Sequence, residues 1–175
     1  MKKVPNFKSY LTNKTFIGYG LVNGIINAGI FYMMEKGHMD ATFDLAKIIE
    51  DMAITSFFLG ALLAAIVIPL TIKELHDNKF SVSAQDKMSP IVSMLPQTKL
   101  KASMAIGLIT MTIVTAVSAI AGVMIHSMLP LTVMQMLVFK GIGCAIGGAV
   151  AGNLVVQIAV FVFANNTTKA DKKAA

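Results

Sequence analysis

The side chains able to do chemistry in this chain are few, and most stand inside long apolar runs. Asn23 and Asn27 lie four apart, so in a helix they share one face. Thr115 stands in another such run, and Asn153 and Gln157, again four apart, in a third. A polar side chain in hydrocarbon costs free energy unless it is paired, so these five residues are expected to face inward. There they could line a path for an ion or small polar solute, or hydrogen-bond between helices. Lys140 is the cation nearest the interior of an apolar run, and Glu50 and Asp51 occupy nearly the equivalent place in an earlier one. That predicts an ion pair at a membrane interface, with the lysine stem snorkelling outward.

Nothing else gathers into a site. Ser, His and Asp never come together as a hydrolytic set would require. His38, Asp40 and Asp44 are close in sequence but follow no metal-ligand pattern. Cys144 is the sole cysteine, which excludes an intrachain disulfide, and its apolar setting reads as a small buried hydrophobe. The run Gly141–Gly147 superficially suggests a dinucleotide fingerprint, but it lacks the third glycine and a preceding strand. No catalytic residue, metal or cofactor is expected, and the chain reads as a non-enzyme.

The elements that hold these residues follow from composition. Hydrophobic residues make up 55% of the 175, charged residues 14%, and the mean hydropathy is +0.71. Soluble domains carry roughly a quarter charged residues, so this much apolar surface calls for a non-aqueous solvent. A membrane crossing needs about twenty mostly apolar residues in helix. Four runs qualify: about Phe16–Met34, Met52–Ile72, Ala102–Met128 and Gly141–Ala164. The expected fold is an all-α membrane protein whose four transmembrane helices form two tandem, parallel-repeat hairpins. The first hairpin takes residues 1–75 and the second 102–164, with a linker at 76–101 and a disordered tail at 165–175.

Charge sorts by side. All fifteen basic residues are lysines, and twelve of them fall in the amino-terminal arm, the linker and the tail. The loop between the first two spans instead holds five of the nine acids: Glu35, Asp40, Asp44, Glu50 and Asp51. Positive segments are retained inside the cell, so both termini and the linker are expected in the cytoplasm. An arginine-free basic set cannot make the bidentate contacts that read guanine, which argues against nucleic acid as a partner. Within the linker, Ser89-Pro90 and Pro96 bracket the segment Ile91–Leu95, expected to rest on the membrane surface.

The halves look alike. Gly20–Asn23 resembles Gly107–Thr110 at an offset of 87, and Gly60–Ile68 resembles Gly148–Val156 at an offset of 88. Both hairpins start from the same side, so an axis along the membrane normal would relate them. Each has a polar-spotted first helix; in the first half an acidic loop and a helix ending Pro69-Leu70 before Lys73 follow. On these residues the chain resembles small bacterial inner-membrane proteins of unknown function built from one or two such hairpins. The resemblance implies a fold and a location in the bacterial inner membrane, and no activity.

Small residues are spaced for helix packing: Gly20 and Gly24 on the first span, and Gly143, Gly147, Gly148 and Gly152 on the fourth. Such faces let backbones approach where lipid gives no hydrophobic drive for association. Two functions are compatible with these features, transport being the favoured reading and a partner role the alternative. One is a small permease or channel, its path lined by the five polar residues and completed by self-association into a homodimer. The other is a non-catalytic membrane partner or assembly subunit of another complex.

Overall fold

The computed structural model describes residues 4–83, 86 and 88–174, with side chains described as far as residue 165. Asn6 opens the first helix by accepting from the Ser9 amide at 2.9 Å. From there α1 (Phe7–Asn13), a π-helical stretch (Lys14–Leu21) and α2 (Val22–Glu35) run on as one helix, Phe7–Glu35. A turn and the short strand β1 (Thr42–Phe43) lead to α3 (Leu45–His76), whose cap is Asp44 accepting from the Lys47 amide at 2.9 Å. Pro69 lies inside α3 without ending it. Just past its end, Asn78 takes the left-handed φ of 52° that asparagine tolerates and turns the chain away.

In the linker, α4 (Pro90–Met94) is a single short turn of helix. It is followed by α5 (Lys99–Met124), a 3-10 turn (His126–Met128), the strand β2 (Leu131–Thr132) and α6 (Val133–Ala174). Among the described residues, four helices are long and apolar enough to cross a membrane. The chain is an all-α membrane protein, apart from one antiparallel ladder in which Thr42 pairs with Thr132 and Phe43 with Leu131.

Three of the four expected spans sit inside longer helices. The first begins at Phe7 rather than near Phe16, because Asn6 caps it and Phe7 and Tyr10 bury against Leu75 and Phe80. The third ends at Met124, short of Met128, where Ile125 leaves the helical conformation. The fourth starts at Val133, ahead of Gly141, since Thr132 and Gln135 cap it reciprocally. It also continues through the stretch expected to be a disordered tail, where Lys, Ala and Asp occur with no Gly or Pro. The linker segment Ile91–Leu95 is more than a surface rider. Val92 is 1% exposed among Ala64, Ala102, Ile106, Ala151 and Val155, while Ile91 and Met94 face outward.

The fourth span is the axis of the bundle: 61% of its most apolar window is buried, against 17% for the first span. The first span lies on α6, α3 packs against both α5 and α6, and α4 also touches α6. Glycines make the closest crossings. A Cβ on Gly24 would sit 2.7 Å from the Gly141 carbonyl oxygen, and one on Gly60 would sit 3.1 Å from Gly107 Cα. Gly148 and Gly152 receive the backbone and ring of Tyr19, and Gly143 receives Met52. Gly147 packs under Val114 and Thr110.

The crossings also recur. Gly20 meets the Ala145 carbonyl and the Ala149 side chain; Gly107 meets the Phe57 carbonyl and the Ala61 side chain. Gly148 meets Asn23 Cβ, and Gly60 meets Thr110 Cβ. Corresponding residues in each pair of contacts are separated by 87 or 88 positions.

Candidate functional site

Two polar centres stand at opposite ends of the bundle. At the end that carries the acidic loop, Lys140 on α6 reaches Asp51 on α3, with Nζ 2.7 Å from Oδ1. The lysine side chain is 9% exposed and the aspartate 33%. The ammonium also lies 5.1 Å from the centre of the Phe31 ring, whose face attracts cations. The second carboxylate oxygen of Asp51, Oδ2, is buried without a hydrogen-bond partner. Glu50, its neighbour in sequence, is exposed. This pair ties the second span to the fourth across a sequence separation of 89.

At the other end, beside the termini, a second cluster joins the first span to the end of α3. The Tyr10 hydroxyl donates to Glu74 Oε2, and Lys14 Nζ lies 3.3 Å from Oε1. The Lys14 ammonium sits 5.4 Å from the centre of the Tyr10 ring, which in turn stacks on Phe80 at 3.8 Å. Thr71 is 1% exposed, and its hydroxyl makes no hydrogen bond of ordinary geometry. Lys14, Thr71 and Glu74 border a cavity of about 330 Å³, lined also by Tyr19, Asp77 and Lys79.

Sequence reasoning did not identify this cluster. Lys14 and Glu74 are separated by 60 residues, and no spacing rule connects them. The available signal was Glu74 itself, an acid on the lysine-rich side directly after Lys73.

The five residues read as a polar path are distributed differently. Asn23 donates to the Tyr19 carbonyl at 2.6 Å and Asn27 to the Asn23 carbonyl at 2.9 Å, each one turn back along its own helix. Asn153 and Gln157 do come together: Gln157 Nε2 donates to Asn153 Oδ1 at 2.5 Å, and Gln157 Oε1 accepts from the Ser89 amide at 2.7 Å. Gln157 thus anchors the linker before α4 to the fourth span. The Thr115 hydroxyl is buried and unpaired on the third span. Asn153 also faces a lateral crevice of about 560 Å³ whose walls include Thr15, Phe16, Ile91 and Ile113. Comparison with protein families, curated proteins and solved structures gives no match.

Proposed function

We propose that this multi-pass membrane protein is a small non-catalytic subunit of the bacterial inner membrane, acting through its helix faces on another membrane protein. The filled interior carries this reading. Met52, Ile106, Val114 and Ala151 occupy the bundle with at most 1% exposure, and glycines close the crossings. Asn23 and Asn27, which could have lined a path, each turn an amide N–H back to a carbonyl of their own helix. The lysine distribution supports cytoplasmic termini. The recurrence of the same glycine contacts at offsets of 87 and 88 supports two tandem hairpins arisen by duplication, as in the small inner-membrane family the sequence resembles.

A tagged chain extracted in mild detergent is expected to bring a specific second membrane protein with it in fixed ratio. Recovery of a single homogeneous species containing only this chain would overturn the reading. One observation favours a second function, a permease or channel assembled between copies. The lateral crevice presents Asn153 together with Thr15, whose hydroxyl is buried and unpaired. In that case reconstituted vesicles take up an ion or small polar solute, and Asn153→Leu slows the flux.

A further inference from the structure

We infer that the cavity between the π-helical turn and the end of α3 binds the headgroup of an aminophospholipid, a ligand carrying both a phosphate and a primary ammonium. The inference rests on the duplication and on the membrane location proposed above, and begins from a difference between the halves.

At offsets of 87 and 88, five of the nine cavity residues, Tyr19, Val67, Leu70, Thr71 and Glu74, correspond to Ile106, Val155, Ile158, Ala159 and Val162, while Lys14 corresponds to another lysine, Lys101. In the second half all five belong to one apolar cluster, with Ile106, Val155 and Ala159 at 0% exposure. At these positions the second half is closed by apolar side chains, whereas the first half leaves a cavity with Tyr19, Thr71 and Glu74 in its wall. Packing alone does not require a tyrosine, a threonine and a glutamate there.

Helix geometry differs in the same way. Through Lys14–Leu21 the first span is π-helical, whereas α5 is regular over the corresponding stretch. In an α-helix Lys14 and Tyr19, five apart, would point roughly 140° away from each other. A helix bonded from i to i+5 returns them to one side, and both line the cavity. π-helical turns are frequent at functional sites.

The lining has the chemistry of a zwitterion receptor. Lys14, Lys73 and Lys79 supply cations, and the Tyr19 and Thr71 hydroxyls supply neutral donors. Glu74 and Asp77 supply anions beside them. A simple anion would meet two carboxylates, and a simple cation three ammoniums. A phosphate held by lysine, tyrosine and threonine with an ammonium at Asp77 satisfies both. The volume of about 330 Å³ lies within the range of small-ligand sites. Acyl chains have a track as well: Leu62, Ile66 and Leu70 are each more than half exposed, one turn apart on α3, and the row ends at the cavity.

The test uses the full chain in phosphatidylcholine nanodiscs doped with equal amounts of phosphatidylethanolamine and phosphatidylglycerol, followed by native mass spectrometry of retained lipid. At least tenfold preferential retention of phosphatidylethanolamine over each of the other two is expected. The double variant Lys14→Gln/Thr71→Val should reduce this to under twofold while helicity stays unchanged; Lys101→Gln, outside the cavity, should leave it intact. Asp77→Asn should abolish discrimination against phosphatidylglycerol. Equal retention of the three headgroups, preference for phosphatidylglycerol, or full selectivity in the double variant would each overturn the assignment. Displacement by an equimolar amount of free phosphoethanolamine would assign the cavity to a soluble zwitterion and overturn the lipid.

Discussion

Lys140→Met removes an ammonium while keeping most of the stem that crosses the apolar layer, so its cost reports on the pair with Asp51. Breaking a fully buried pair costs about 3–5 kcal/mol because the surviving charge is stranded, whereas an exposed pair is worth about 0–1 kcal/mol. Here the lysine side chain is 9% exposed and the aspartate 33%, which places the site between those limits. Asp51 Oδ2 is already buried without a partner, so losing the bond at Oδ1 leaves both carboxylate oxygens unpaired in the protein. About 2–3 kcal/mol is expected for Lys140→Met. Asp51→Asn should cost less, about 1–2 kcal/mol, because Lys140 keeps the Phe31 ring as a partner. The double variant should then be less damaging than the two singles combined by about 1–2 kcal/mol. Reversible unfolding by sodium dodecyl sulfate in mixed micelles, followed by far-UV circular dichroism, measures all four corners of this cycle. A coupling below about 0.3 kcal/mol, the usual scatter of additive sites, would refute the reasoning.

The glycine crossings predict a contrast between two identical substitutions. Gly60→Ala places a methyl 2.9 Å from Thr110 Cβ and 3.1 Å from Gly107 Cα, so α3 and α5 must part, at about 1–3 kcal/mol in the same unfolding assay. Gly29→Ala meets nothing within 4 Å and should be neutral or stabilising by up to about 1 kcal/mol; equal effects at both sites would contradict the packing. Cys144 is 1% exposed, so maleimide labelling should be slow in micelles and rapid only after denaturation. A membrane-impermeant amine reagent applied to intact spheroplasts should modify Lys36 and Lys47 but spare Lys99 and Lys101, and the reverse pattern would invert the proposed topology.

The membrane spans were legible because length and apolarity are one-dimensional properties. Their ends were less so, since capping by Asn6 and by the Thr132–Gln135 pair adds turns that hydropathy does not register. The nearness of Lys140 and Asp51 could be anticipated from their matching depth in two spans. The convergence of five polar residues could not be judged in that way. A helical asparagine has a carbonyl one turn back within reach, and Asn23 and Asn27 both take that option. Tyr10, Lys14 and Glu74 meet only because the first helix extends below its apolar run and α3 continues past Pro69. Neither extension carries a periodic signal, and the π-helical turn between them leaves no mark in residue type.

The first span packs on the fourth rather than on the second, so the close-packing face of Gly20 and Gly24 is covered only by a helix made much later. Synthesis runs from the amino terminus, and Gly20 and Gly24 must therefore wait in lipid until Gly141 and Ala145 have left the ribosome. Any message truncated before that point yields helices with naked seams, ready substrates for membrane proteases. Because one polypeptide carries all four spans, a single translation event delivers both halves of every seam.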